Sequence, residues 1–152
     1  MFTPSQERYL QQTAIPIRLA CVTQSGWPMV LSLWYLYEDG LLKCATQSSA
    51  RVVAYLRGEP RCAFEIAADL PPYCGVRGQG RAAIEAETGA AVLARLITRY
   101  VGNLDAPLAR DLLRRSDGEV AIVIRPIQVF AWDFTDRMSH SFPDLPPRLC
   151  PT

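Results

Sequence analysis

Apolar residues recur at every second position in several short stretches of this chain, which predicts a mainly β protein. Turn-forming residues separate the first stretches, among them Gln24-Ser25-Gly26 and Glu38-Asp39-Gly40, so the first three strands form a meander. The pattern predicts six strands, over 17–23, 29–37, 41–46, 62–66, 73–85 and 120–134.

The apolar spacing changes to three and four residues between some of these strands, which is typical of short helices. Helices are predicted to begin at Pro4 or Ser5, at Ser48 or Ser49, at Thr88 and at Pro107. Short helices without regular strand-helix alternation favour an antiparallel β-barrel over a doubly wound sheet. A chain of 152 residues indicates a single domain, 1–152, whose proline-rich part 139–152 is an extended tail.

The strand over 29–37 is apolar on both faces except at Ser32, and Val120–Ile124 repeats this pattern near the end of the chain. A strand of this kind cannot leave one face in water. We therefore expect 29–37 to be central in the sheet or covered by another subunit, and the surplus apolar surface predicts a homodimer.

Glycine is unusually frequent in the strand over 73–85, at Gly75, Gly78 and Gly80. Glycine weakens a strand, so this pattern indicates bulges, or the close approach of a ligand or another backbone. Pro126 predicts a bulge or an edge position in the last strand.

Composition excludes some partners. A formal net charge of +1 gives no field that would attract nucleic acid or an anionic membrane surface. The five cysteines form no CxxC pair, so we expect most of them to be free thiols in a reducing compartment. No apolar segment has the length of a membrane span, and the first residues do not resemble a secretion signal, which predicts a cytoplasmic protein.

The segment from Thr46 to Arg51 is the strongest candidate for binding chemistry, because a strand is predicted to end there and a helix to begin. The hydroxyls of Thr46, Ser48 and Ser49, the free amides of the first helical turn and the Arg51 guanidinium suit a phosphate group. The alternative is that Ser48 or Ser49 only caps the helix, while Arg51 is solvated.

Arg77 and Arg81 are expected on one face of the glycine-rich strand, where they either bind an anionic ligand or remain solvated. Aromatic side chains could flank a planar ring, although most aromatics in strands belong to the core. Those in question are Trp34, Tyr35, Tyr37, Trp132 and Phe134.

The order of these elements resembles the pyridoxamine 5'-phosphate oxidase-like split barrels that bind FMN. The resemblance runs from about Ile15 to Met138 and is carried by four segments: SGWPMVLSLWYLYEDG, CATQSSARVVAYLRGEPRCAFEI, PPYCGVRGQGRA and AWDFTDRM. It implies a six-stranded antiparallel split barrel of the FMN-binding type, homodimeric, with the cofactor in a cleft between the two subunits.

The resemblance also implies residue roles. The FMN phosphate would be held by Ser49 and Arg51 with Thr46 nearby, and Arg51 replaces the lysine that is usual in the family. The flavin ring would lie beside Leu31, Ser32, Leu33 and Trp34. Trp132 and Arg137 match the tryptophan and arginine with which the oxidases reach the cofactor or substrate.

The implied function is a flavin-dependent oxidoreductase that acts on a small-molecule substrate or electron donor, with FMN or a deazaflavin as cofactor. No side chain is assigned as a catalyst and no metal site is expected. Asp136-Arg137-Met138 replaces the arginine-x-histidine motif of the oxidases, so oxidation of pyridoxamine phosphate is not expected. The alternatives are a flavin, deazaflavin or haem binding or storage protein, for which His140 is the one histidine ligand available, and a dimeric scaffold without a ligand.

Overall fold

The computed structural model describes residues 1–142 and 148–152. Among them, no helix has the length and apolar character that a bilayer crossing requires. The strands are β1 (Ile17–Val22), β2 (Pro28–Leu33), β3 (Leu36–Glu38), β4 (Leu41–Gln47), β5 (Arg61–Ala67), β6 (Cys74–Glu85) and β7 (Glu119–Asp133). The α-helices are α1 (Pro4–Gln12), α2 (Arg51–Gly58), α3 (Gly89–Tyr100), α4 (Pro107–Leu113) and α5 (Thr135–Met138).

The strands form one antiparallel sheet in the order β2-β1-β5-β6-β7-β4-β3. The mainly β, antiparallel class is confirmed, but the strand count is seven in place of the predicted six. The difference arises because the run over 29–37 is interrupted at Trp34 and Tyr35, which lie between β2 and β3. These two strands are the two ends of the sheet, so the sheet must curve until its ends come together at the break. No ladder of hydrogen bonds between described strands closes it.

Polar side chains hold the break in place. The amide of Tyr35 donates to the hydroxyl of Tyr100 at 3.3 Å, and this hydroxyl donates to the carbonyl of Ile15 at 2.9 Å. The Tyr35 hydroxyl lies 2.9 and 3.0 Å from the carbonyls of Leu10 and Thr13. Arg99 donates to the same two carbonyls, at 2.8 and 2.7 Å, so one cluster ties α1 and α3 to the break.

The turn between β3 and β4 follows the sequence prediction. Asp39 and Gly40 both have positive φ, 50° and 77°, as a two-residue turn with this twist requires. Asp39 tolerates this conformation better than most residues, and Gly40 adopts it without strain.

β2 does not occupy a central position, and this part of the prediction is wrong. It is an end strand, and Pro28, Val30 and Ser32 point out into solvent while Met29, Leu31 and Leu33 pack against the core. The remaining alternative, that a second subunit covers the outward side, stays a prediction.

β7 shows why Val120–Ile124 is apolar on both faces. Val120, Ile122 and Ile124 lie in the core enclosed by the curved sheet. Ala121 and Val123 point to the other side, where Val92 and Leu96 of α3 cover them. A two-sided apolar strand is therefore satisfied within one chain at this position.

The glycines of β6 allow neighbouring strands to approach closely. A Cβ atom at Gly78 would lie 2.3 Å from the carbonyl oxygen of Gln128 and 2.6 Å from the ring of Phe64. The register of β6 and β7 shifts between Gln79 and Gly80, opposite Pro126. The predicted bulge is confirmed, and the close approach involves backbone and the Phe64 ring.

The last described residues pack on the sheet. Cys150 forms a disulfide with Cys74, the first residue of β6, and Pro151 is buried. The hydroxyl of Thr152 donates to the carboxylate of Asp133 at 3.1 Å. The tail predicted over 139–152 thus returns to the sheet at 148–152, while 143–147 lie outside the described residues.

The other cysteines are free, as predicted for most of the five. Cys21, Cys44 and Cys62 are buried in the core. Burial raises the pKa of each thiol, to about 11 for Cys62, and further for Cys44.

We expect Arg99→Met to lower the free energy of unfolding by about 2–3 kcal/mol, because it removes charged hydrogen bonds to carbonyls at the end of α1. The matched control is Arg95→Met on the same helix. Arg95 is exposed and pairs with Glu38, so its loss should cost less than about 1 kcal/mol. Urea titration of both variants measures the difference, and equal losses would contradict the role of Arg99.

We expect reduction of the disulfide to lower the melting temperature of the protein. Cys74 and Cys150 are 76 residues apart, and cross-linking a loop of this length stabilises the folded state by about 4 kcal/mol in the chain-entropy account. Thermal melts with and without dithiothreitol measure the effect. The double variant Cys74→Ser/Cys150→Ser should melt at the same temperature in both buffers; a wild-type protein that does the same would refute the prediction.

Candidate functional site

The corner where β4 passes into α2 is open to solvent. Ser48, Ser49 and Arg51 are exposed, and Thr46 is half-buried. Ala50 occupies the N-cap position of α2, and no side chain in the described part of the chain caps the helix. The serine cap of the alternative is therefore wrong, whereas Arg51 is exposed to solvent, as the same alternative expects. Both serine hydroxyls remain available to a ligand.

Backbone contacts fix this corner but leave several donors free. The Ser48 amide donates to the carbonyl of Gly118 at 2.8 Å, which anchors the corner to the turn that precedes β7. Among the described residues, no acceptor contacts the amides of Ser49, Arg51 or Val52, and no carboxylate pairs with the Arg51 guanidinium. Unpaired amides at a helix start beside a guanidinium are a favourable environment for an anion.

The second predicted stretch, Leu31 to Trp34, lies at the open edge of the sheet. Ser32 is exposed, whereas Leu31 and Leu33 pack against the core. Trp34 stacks on Tyr100, with ring centroids 5.1 Å apart and planes 8° from parallel. Because β2 is an end strand, half of its backbone N–H and C=O groups have no strand partner among the described residues.

A hollow of about 380 Å³ connects this edge with the end of β4. Ser32, Leu33 and Trp34 form one wall, and Ala45, the residue before Thr46, belongs to another. The structure therefore brings the predicted ring-binding stretch and the strand that leads to the predicted phosphate corner to one cavity. The other lining residues are Pro16, Leu93, Leu96, Leu108, Leu112 and Glu119.

Glu119 is the buried charged residue of this cavity. Its side chain is held by Gln47, whose amide group donates to Oε1 at 2.5 Å and to the Arg115 carbonyl at 3.0 Å. Glu119 is only 8% exposed, and its Oε2 has no hydrogen-bond partner in the described part of the chain. Burial raises the pKa of Glu119, against the lowering effects of Gln47 and Arg115.

Sequence reasoning did not identify Glu119 or Gln47. The sequence predicts that the last strand begins at Val120, which places Glu119 in a loop, where a glutamate is normally solvated. The feature of the sequence that could indicate a buried Glu119 is its position directly before Val120–Ile124, which is apolar on both faces. Which of the two faces α3 and α4 would cover is not visible in the sequence.

Arg77, Trp132 and Arg137 lie in a second region. The Arg77 guanidinium is 5.5 Å from the centroid of the Trp132 ring, and Trp132 lies opposite Gly75 in the sheet. Arg77 and Arg81 are exposed on the same face of β6, as predicted. Arg137 is exposed on α5, with its guanidinium 6.0 Å from the centroid of the Phe134 ring.

Within one chain, the corner after β4 and the region of Trp132 lie far apart along β7. Thr46 pairs with Val120, and Trp132 is twelve residues further along the same strand. At about 3.3 Å per residue, this distance along β7 approaches 40 Å, less where the strand coils. Trp132 therefore lies at the opposite end of β7 from the corner of Ser49 and Arg51.

The outward side of β2, β1, β5, β6 and the second half of β7 is called here the outer face. Two cross-strand rows define it: Val30, Ala20, Ala63, Gln79 and Gln128, then Ser32, Arg18, Glu65, Arg77 and Phe130. It carries two adjoining open grooves of about 410 and 440 Å³. Val30, Ile127 and Phe130 on this face are 65%, 66% and 49% exposed, so a substantial apolar surface faces water.

The aromatic residues divide between core and site. Tyr35 and Tyr37 are buried, which confirms the expectation of core positions for them. Trp34 and Trp132 are half-buried beside the regions described above, and Phe134 is 42% exposed.

Comparison with solved structures identifies similar folds. The chain is similar to an F420 reductase, with a TM-score of 0.70 and 22% identity over 84% of this chain and 98% of that one. It is similar to a putative pyridoxamine 5'-phosphate oxidase from Listeria innocua, with a TM-score of 0.62 and 18% identity over 82% and 92% of the two chains. HutZ, the haem storage protein of Vibrio cholerae, gives a TM-score of 0.64 and 15% identity over 86% and 94%.

No protein-family model matches the chain, and no curated protein matches it by sequence. At these low identities, the likeness to solved structures concerns the fold.

Proposed function

Starting from the fold that this chain shares with the pyridoxamine 5'-phosphate oxidase-like split barrels, we propose that it binds a flavin nucleotide, FMN or a deazaflavin, and acts as an oxidoreductase on a small molecule. The observation that carries the proposal is the open corner after β4. Two exposed serine hydroxyls, three unpaired amides and an exposed, unpaired guanidinium lie in one short segment there, among the described residues. Donors of these kinds are the ones that bind a phosphate group in proteins.

The edge of β2 suits the ring of the same cofactor. Unpaired backbone donors and acceptors between Leu31 and Trp34 are available for the polar edge of a flavin, and Trp34 offers an aromatic face. The hollow that joins this edge to Ala45 supplies a partly dry environment. The residues present therefore fit a nucleotide whose phosphate lies at Ser49 and Arg51 and whose ring lies near Ser32.

The chemistry of hydride or electron transfer belongs to the flavin when it is bound. The chain's own part is to bind and to orient. Arg51 and the amides hold the phosphate, β2 aligns the ring, and the leucines of α3 and α4 restrict water.

The proposed active unit is a homodimer. Arg77, Trp132 and Arg137 lie too far along the sheet to reach the corner of their own chain, whereas a second subunit could supply them. The outer face has the exposed apolar side chains that such an interface requires. The interface proposal thus explains both the separation of the two regions and the solvent-facing side of β2.

We expect the purified chain to take up FMN or a deazaflavin, and Arg51→Ala to weaken that binding about ten- to a hundredfold, through loss of a charged hydrogen bond. Absorbance titration with each cofactor measures the affinity. Arg57→Ala is the matched control, because Arg57 is an exposed arginine in the last turn of the same helix, and it should bind normally. Equal affinities of the two variants would exclude the phosphate role of Arg51, and a Soret band in the purified protein would favour haem.

We expect the chain to sediment as a dimer and Ile127→Asp to convert it to a monomer, because a carboxylate would be buried in the apolar interface. Leu104→Asp, on an exposed loop away from the outer face, should remain dimeric. Analytical ultracentrifugation separates the two species. A monomeric wild-type protein would refute the proposed interface without touching the role of Arg51.

A further inference from the structure

Gln47, the last residue of β4, holds the corner after β4 in place. Its backbone pairs with Glu119 at the start of β7. Its side-chain amide donates to Glu119 Oε1 at 2.5 Å and to the Arg115 carbonyl at 3.0 Å, which uses both of its hydrogens. The next residue, Ser48, donates its amide to the carbonyl of Gly118. The corner is therefore fixed to the turn before β7 by side-chain and backbone hydrogen bonds together.

Little space remains around this anchor. A Cβ atom at Gly118 would lie 2.7 Å from the side-chain oxygen of Gln47, too close for the two atoms to coexist. A Cβ atom at Gly89, the first residue of α3, would lie 2.2 Å from the carbonyl oxygen of Glu119. The two glycines allow the turn and α3 to pack directly on Gln47 and Glu119. Neither residue of the pair can move far without a change in its neighbours.

No ion pair holds the carboxyl of Glu119 in the described part of the chain. Glu119 is 8% exposed, and its Oε2 is sealed from solvent without a hydrogen-bond partner among the described residues. A carboxylate in this place loses its hydration without compensation, whereas a neutral acid costs far less. Burial accordingly raises the pKa of Glu119, although the hydrogen bond from Gln47 and the charge of Arg115 act in the opposite direction.

The charges around Glu119 are partly engaged elsewhere. Arg115 lowers the pKa of Glu119, and burial outweighs it. Lys43 and Arg95 pair with Glu38. The charged residues on the turn before β7, on β4, at the end of β6, on α3 with the segment before it, and on α4 with its C-cap are Arg115, Asp117, Lys43, Glu85, Glu87, Arg95, Arg99, Arg110, Asp111 and Arg114. Deprotonation of Glu119 would add a negative charge next to the segment that is proposed to bind an anion.

We propose that Gln47 and Glu119 are positioning residues for the corner after β4, and that Glu119 serves there as a neutral acid. Gln47 precedes Ser49 and Arg51 in one short segment, so its anchored side chain fixes the backbone that presents them. A neutral carboxyl gives Gln47 an acceptor without a negative charge beside the phosphate. Their role rests on the phosphate function proposed for the corner, and neither side chain touches the ligand itself.

The protonation state of Glu119 gives this role a pH dependence. Because its pKa is raised, the neutral acid is present at low pH and is lost as the pH rises through the raised value. The wild-type affinity for FMN should therefore contain a component that weakens over this interval. The FMN phosphate titrates as well. The component is isolated as the difference between the wild type and Glu119→Gln, whose amide keeps an acceptor for Gln47 but has no proton to lose.

Absorbance titrations with FMN and with riboflavin, which lacks the phosphate, test the proposal. At low pH, Glu119→Leu should bind FMN about five- to tenfold more weakly than the wild type, and riboflavin equally well. Glu119→Gln should match the wild type at low pH and bind FMN more tightly than it at high pH. Glu87→Leu, at an exposed glutamate, is the control and should bind normally. Equal behaviour of Glu119→Leu and Glu119→Gln, or an equal loss for riboflavin, would overturn the proposal.

Amide hydrogen exchange of Ser48 tests the anchor without any flavin. At low pH, exchange at Ser48 should be about five- to tenfold faster in Glu119→Leu than in Glu119→Gln. Gly118→Ala should accelerate it too, because the φ of Gly118 is not positive and the added Cβ displaces only the Gln47 side chain. In a Gln47→Ala background, Gly118→Ala should have no further effect.

The two measurements separate the anchor from the proposed function. Equal exchange at Ser48 in all variants would overturn the positioning role even in a protein that binds FMN. A wild type that binds no flavin, with exchange at Ser48 as expected, would refute the phosphate function and support the anchor.

Discussion

The break at Trp34–Tyr35 is the constraint on which the rest of the structure depends. Without it, the run from Pro28 to Glu38 would continue as one strand. With it, β2 and β3 follow each other in the sequence and yet lie at opposite ends of the sheet. Tyr100 satisfies the Tyr35 amide at the break, and Arg99 joins it to carbonyls at the end of α1. The same few hydrogen bonds thus join the break to α3 and to the end of α1.

The break also creates the candidate site. β2 is an end strand, so its outer edge has no strand partner among the described residues. Because β2 ends at Leu33, Trp34 lies outside the strand and stacks on Tyr100. Tyr100 is the last residue of α3, so its contact with Trp34 holds the end of α3 beside the break. Leu93 and Leu96 of the same helix form one side of the hollow. The break thus places Trp34 and the last residue of α3 beside the hollow that extends to β4.

Local patterns predicted much of this fold. Asp39-Gly40 specified its turn, the glycines of β6 indicated close packing, and the segment before Arg51 indicated the passage from a strand to a helix. Alternation did not reveal the break, because Trp34 and Tyr35 continue the apolar run. It also did not reveal the Cys74–Cys150 bond or the burial of Glu119, since both depend on which distant elements meet.

The buried thiols give the molecule a built-in reporter. Cys21, Cys44 and Cys62 belong to three strands, and burial keeps them protonated, so alkylating reagents cannot modify them while the core is closed. Each thiol becomes reactive only when its own strand leaves the core. The order in which mass spectrometry detects the three adducts would therefore record the order in which the strands leave the core, without any introduced label.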